Sequence, residues 1–216
     1  MPVRISPSLA AAPLDRLRQV VIELETAGAN YIHFDIEDGS FVPMMTLGTK
    51  MISDLRRITR LPFDVHLMMV NPEWILPEVV RFGANRVAVH YEACPYPRRV
   101  LRQIVSLGAI AGLAFNPATP VPDLAYLLPY LSFIVTLTTE PEIPDCPFLP
   151  EVLEKVRDGK QAKGLESIEW VVDGGLNTEN LAQVIAAGTD TVVIGRSVFK
   201  DGKIRENMTA LRKLLV

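Results

Sequence analysis

The chain has 216 residues, 49% of them hydrophobic and 22% charged, a composition that suits one soluble globular domain with a large core. Net charge is −3 with acidic and basic residues interspersed, so nothing in the charge pattern calls for nucleic acid or an anionic membrane as partner. No apolar run approaches the roughly 20 residues of a membrane span, and Cys94 and Cys146 have neither zinc nor redox spacing, so a reducing, cytoplasmic compartment is expected.

The opening MPVRISPSLAAAPLDRL has a basic residue and alanines, but Ser-Pro-Ser interrupts it. It reads as a first strand at 3–8 and not as a signal peptide. A helix-like stretch at 14–28 follows, then a strand at 31–36, a helix at 49–58, a strand at 62–68 and a helix at 72–83. Strand 86–90 leads to helix 97–108, strand 110–115 to helix 121–131, and strand 132–137 to helix 147–164. Strand 169–173, helix 178–188, strand 191–195 and helix 203–215 complete the chain. Several of these helices end at a glycine (Gly28, Gly83, Gly108, Gly164, Gly188), where a left-handed stop is expected.

Eight strands, each followed by a helix, predict an α/β fold, a single (β/α)8 TIM barrel over residues 1–216. A doubly wound open sheet needs the same alternation. Two features favour the barrel. The first strand is followed by no Gly-rich dinucleotide turn, and polar residues stand at the C-terminal ends of several strands, where barrel active sites form.

Those polar residues are His33 and Asp35 in YIHFDI, His66 in PFDVHLMM and Asp173 in EWVVDGG. Strand alternation puts His33 and Asp35 on one face, and a barrel would bring all four groups to its mouth. Two imidazoles and two carboxylates there form a candidate divalent-metal site, and the carboxylates are also candidates to move protons.

ISPSLAAA (5–12), HFDIEDGSFVP (33–43), DVHLM (64–68), HYEA (90–93), GLAFNPATP (112–120), VVDGG (171–175) and VIGRSVF (193–199) follow one another as in ribulose-phosphate 3-epimerases, and the chain resembles that family over nearly its whole length. The resemblance implies a metal-dependent homo-oligomeric barrel that inverts C3 of a ketose phosphate, by default D-ribulose 5-phosphate to D-xylulose 5-phosphate. It implies one divalent metal ion (zinc, iron, manganese or cobalt) held by His33, Asp35, His66 and Asp173, with Asp35 and Asp173 as acid and base. The chemistry is consistent: inversion beside a ketone needs a proton removed from one face and returned to the other, and a cation can stabilise the enediolate between. Ser8, His66 and Met68 match substrate contacts. For His90 and Glu92 two readings stay open, support of the site or a core and solvent role, and Asn116 reads as fixing its loop. Asp38 and Gly39 read as turn residues.

At the phosphate end Gly174, Gly175 and Gly195 are expected to offer backbone N–H groups. The chain departs from the family's Pro-Gly-Phe-Gly-Gly-Gln loop after the sixth strand, having Pro141-Glu142-Ile143-Pro144-Asp145-Cys146 instead. Pro144 has no N–H, and Glu142 and Asp145 bring negative charge. Arg196 is a candidate replacement donor, with an ion pair to Glu142 or Asp145 as the competing reading. Glu37, Ser40 and Met44 also depart from the usual residues; Glu37 shares the face of His33 and Asp35, and two readings stay open for it, added charge at the mouth or a cap on its loop. The nearest alternatives are a related hexulose phosphate or another anionic sugar as substrate, or a weakened barrel that binds a sugar phosphate without turning it over.

Overall fold

The computed structural model describes residues 2–141 and 146–215, and these form a parallel eight-stranded barrel. Strands β1 (Arg4–Pro7), β2 (Ile32–Glu37), β3 (Phe63–Met68), β4 (Ala84–His90), β5 (Ile110–Phe115), β6 (Phe133–Leu137), β7 (Glu169–Asp173) and β8 (Thr191–Ile194) pair in the order β1-β8-β7-β6-β5-β4-β3-β2. The seam between β1 and β2 is bridged by Ser8 with His33. Asn30 adds to it: its N–H donates to the Ile5 carbonyl and its Oδ1 accepts from the Ile5 N–H. Every expected strand is present, with ends displaced by two residues at most.

Helices α1 (Leu17–Thr26), α2 (Thr49–Arg56), α3 (Leu76–Arg81), α4 (Pro97–Ser106), α5 (Leu153–Gln161), α6 (Leu181–Ala186), α7 (Arg196–Phe199) and α8 (Ile204–Leu214) cover the barrel. The glycines expected to stop helices have φ from +80° to +115°, a region costly for any residue with a Cβ. Among the described residues no helix is long and apolar enough to cross a membrane.

One expected helix is not formed. Within 121–131 only successive turns form, over 124–131, in which Leu127 and Leu128 both donate to the Leu124 carbonyl, and Tyr130 and Leu131 to that of Leu127. Pro129 cannot donate, and Pro122 has no N–H either, so a continuous ladder does not develop. Leu124, Leu127 and Leu131 are nonetheless buried against the barrel. The apolar spacing anticipated the packing, and proline decided the backbone. The four-residue α7 was not anticipated.

Alternation sorts the strands into two cores. Outward residues such as Ile32, Phe34, Val65, Leu113, Trp170 and Val192 pack under the helices. Inside, Ala88, Ala114, Phe133, Val135, Val171 and Val193 form a smaller apolar cluster. A Cβ on Gly112 would lie 2.4 Å from the Phe133 ring, so the bare glycine makes room for that ring. The Arg86 guanidinium lies over the ring, 3.8 Å from its centroid. The fold thus supports a buried cation beneath the barrel mouth.

Candidate active site

Register brings the polar groups together. Parallel pairing of β2 with β3 sets His33 beside Asp64 and Asp35 beside His66. Asp173 ends β7, level with Leu137 of β6 and Val193 of β8. One donor atom from each of His33, Asp35, His66 and Asp173 lies within 4.8 Å of the others. His33 Nε2 is 3.1 Å from Asp35 Oδ1 and 3.8 Å from Asp173 Oδ2, while His66 Nδ1 is 3.5 Å and 3.7 Å from the same two oxygens.

The donor set fits a divalent cation on physical grounds. Among the described residues His66 Nδ1, a buried atom, has no hydrogen-bond partner. Set between two carboxylates, this nitrogen calls for positive charge beside it, and a cation among the three supplies it. His33 donates from Nδ1 to Asp64 Oδ2 at 2.8 Å, which leaves its Nε2 for the same centre. Mixed nitrogen and oxygen donors suit a first-row transition metal or zinc.

The electrostatics point the same way. Burial opposes charge on His33 and on His66, yet both imidazoles are held above the ordinary range, His33 by Asp35 and Asp64, His66 by Asp173 and Asp35. The site draws in positive charge. The two carboxylates are pushed apart: against burial, His33 and His66 hold Asp35 below the usual range, whereas burial and Asp35 raise Asp173.

Two outer networks orient the imidazoles. Asp64 accepts from His33 and from Ser6 Oγ at 3.0 Å. Arg86 Nε lies 3.1 Å from Asp64 Oδ1, off the line of a hydrogen bond, and Arg86 Nη1 donates to Glu169 at 2.8 Å. Burial raises the Asp64 carboxyl, but Arg86 and His33 outweigh it and hold the group at about 2. On the other side His66 Nε2 meets His90 Nε2 at 2.9 Å, and His90 Nδ1 meets Glu92 Oε2 at 3.2 Å. Burial pushes His90 down to about 4, assisted by His66 and opposed by Glu92.

Asp35 and Asp173 line a cavity of about 620 Å³ that also reaches Ser8, Met68, Gly174, Gly175, Gly195 and Arg196. The residues expected at the substrate are therefore gathered around one space, with His66 fully buried behind it. Ser8 Oγ donates to Asp35 Oδ2 at 2.6 Å. Gly174 and Gly175 have φ of +110° and +69°, and a Cβ on Gly174 would stand 2.4 Å from Thr139 Oγ1. Only glycine lets this turn approach the loop after β6 so closely. Thr138 secures it, with Oγ1 donating to the Gly174 carbonyl at 2.6 Å.

Some residues were missed from sequence. Asp64 shares the face of His66 by the alternation that pairs His33 with Asp35, so its signal was available. Arg86, Thr138 and Thr139 had none before the strands were assembled. Glu37 is buried and its Oε2 accepts from the Thr46 N–H, bracing the loop after β2. Asp38 is a turn residue as expected, accepting from Ser40, Phe41 and Val70. Glu142, Pro144 and Asp145 lie outside the described residues, and with them the ion pair considered for Arg196.

The model of the ribulose-phosphate 3 epimerase family matches residues 4–199. The chain belongs to this family. Ribulose-phosphate 3-epimerase of Synechocystis sp. is 37% identical over 214 residues, covering 96% of this chain and 92% of that protein. The ribulose-phosphate 3-epimerase of Bacillus subtilis is 33% identical over 213 residues, covering 97% and 98%. Orotidine 5'-phosphate decarboxylase from Pyrococcus horikoshii has a TM-score of 0.67 at 18% identity over 98% of both chains, a likeness of fold alone.

Proposed function

We propose that this epimerase-family chain inverts C3 of D-ribulose 5-phosphate to give D-xylulose 5-phosphate, and the reverse. One observation carries the proposal. Asp35 and Asp173 stand on β2 and β7, strands that are not neighbours, yet both line the cavity with carboxylate oxygens within 4.8 Å of one another. One carboxylate takes the proton from C3, leaving an enediolate across C2 and C3, and the other delivers a proton to the opposite face. His33, Asp35, His66 and Asp173 would hold one divalent ion (zinc, iron, manganese or cobalt), whose charge favours the enediolate. Gly174, Gly175 and Gly195 would meet the phosphate with N–H groups, and Arg196 would replace donors missing from the 141–146 loop. Ser8 and Met68 would complete the substrate contacts. A homo-oligomeric, cytoplasmic enzyme is part of the same proposal and rests on family resemblance.

The test is solvent-deuterium incorporation at C3 together with metal analysis. Asp35→Asn and Asp173→Asn should each abolish epimerisation, because one acid–base group cannot serve both faces of a planar intermediate. Near-normal turnover in both variants would defeat the two-carboxylate reading. The altered 141–146 loop favours a second reading, epimerisation of a different ketose phosphate. A panel in which ribulose 5-phosphate is turned over far more slowly than another ketose phosphate would select it.

A further inference from the structure

We propose that Glu92 and His90 set the tautomer of His66, so that His66 Nδ1 always presents a lone pair to a divalent cation. The inference rests on reading the four-residue cluster as a metal site, and it deepens that reading. It follows from the hydrogen-bond polarity along one chain of contacts.

An ionised carboxylate only accepts. Glu92 Oε1 accepts the Asn116 N–H at 2.8 Å, and Oε2 faces His90 Nδ1 at 3.2 Å. His90 Nδ1 therefore carries hydrogen, and the neutral ring has a bare Nε2. That Nε2 lies 2.9 Å from His66 Nε2. Two ring nitrogens this close need one hydrogen between them, and it must belong to His66. A neutral His66 is then bare at Nδ1, the buried atom that has no hydrogen-bond partner among the described residues and faces Asp35 and Asp173. The opposite polarity would set a His90 lone pair against Glu92 and a hydrogen on His66 Nδ1, where a cation would bind.

The relay has a firm anchor. The carbonyls of Asn116 and Pro117 accept from Lys155 Nζ at 2.8 Å and 2.9 Å, which ties the loop after β5 to α5. The Phe41 ring lies 4.5 Å from that of His90. His33 takes its tautomer from Asp64 by a separate and direct contact. Each imidazole of the cluster is thus directed by its own carboxylate, and partners of this kind typically govern metal affinity. Glu92 and His90 are positioning residues; neither is among the four candidate ligands.

The chain's 3 histidines are all in this network, which makes ring-nitrogen NMR unambiguous. In the zinc-loaded wild-type chain, proton–nitrogen correlation spectra should place hydrogen on His90 Nδ1 and His66 Nε2, with His90 Nε2 bare. Glu92→Gln supplies one carbonyl oxygen for two N–H groups, so the relay loses its fixed direction. Zinc affinity, measured by competition with a chelator, should fall about ten- to a hundredfold, and the His90 spectrum should change tautomer. His90→Gln, whose carbonyl can still accept from His66 Nε2, should bind zinc more tightly than His90→Leu.

The wild-type spectrum decides even if a variant misfolds: hydrogen on His90 Nε2 would overturn the inference. So would wild-type zinc affinity in Glu92→Gln and both His90 variants. A wild-type chain that takes up no zinc would instead defeat the underlying metal reading, and this inference with it.

Discussion

Replacing Asp64 by Asn should destabilise the chain far more than its conservative size suggests. Asp64 is 2% exposed and stands between His33 Nδ1 at 2.8 Å, Ser6 Oγ at 3.0 Å and the buried Arg86 guanidinium. An amide preserves the volume but removes the charge opposite Arg86. Breaking a buried pair by removing one partner costs about 3–5 kcal/mol. Arg86 keeps Glu169 at 2.8 Å, a carboxylate that it shares with Arg4, so the lower end applies, about 3 kcal/mol. At about 2–4 °C per kcal/mol for a chain of this size, the midpoint should fall by about 6–12 °C. Thermal and urea denaturation at pH 7 in chelator are the assays, because metal bound to the native state would add its own stabilisation. The double variant Asp64→Asn/Arg86→Met should lose at least about 1 kcal/mol less than the two single losses summed, since the stranded cation is gone. A loss below about 0.5 kcal/mol for Asp64→Asn, or additivity within that margin, would refute the reasoning.

Three further outcomes are expected. Arg196→Ala should raise the Michaelis constant for a phosphorylated ketose at least about tenfold, in line with the ~1.5–3 kcal/mol of a charged hydrogen bond, with little effect on the unphosphorylated sugar; equal losses for both would make Arg196 structural. A disulfide reagent at pH 8 should label Cys146 quickly and Cys94 only after unfolding, because burial, with Glu73 and Glu92 nearby, pushes the Cys94 thiol up to about 12; equal labelling rates would contradict this. Glu92 is pulled from 4.5 to about 2, against burial, by His90, Thr119 and the Asn116 N–H, so its contribution is full above pH 4.5 and disappears as pH falls through about 2. The ceiling is about 3 kcal/mol, and partial exposure reduces it to about 2; the stability gap between wild type and Glu92→Gln should narrow over that pH window, and a constant gap would refute the assignment.

The strand sequence was legible because each strand is buried on both faces and reads as a short apolar run, and a run of that kind broken by His or Asp at alternate positions marks the inward face of a barrel. Glycine stops bounded the helices, since φ beyond +80° excludes other residues at little ambiguity. The segment 121–131 misled because its leucines keep helical spacing while its prolines withhold the N–H groups a helix needs. The four-residue cluster was legible by resemblance and by alternation together. What tertiary structure alone decided was which polar groups face each other across strands. Arg86 reads as an ordinary charged residue until the barrel places it over Phe133 and between Asp64 and Glu169. His90 and Glu92 had two readings each until β4 and the loop after β5 aligned them with His66. Local sequence determines which face a side chain takes, because alternation is a property of one strand. Partners across the barrel depend on register and closure, which arise only when all eight strands are paired.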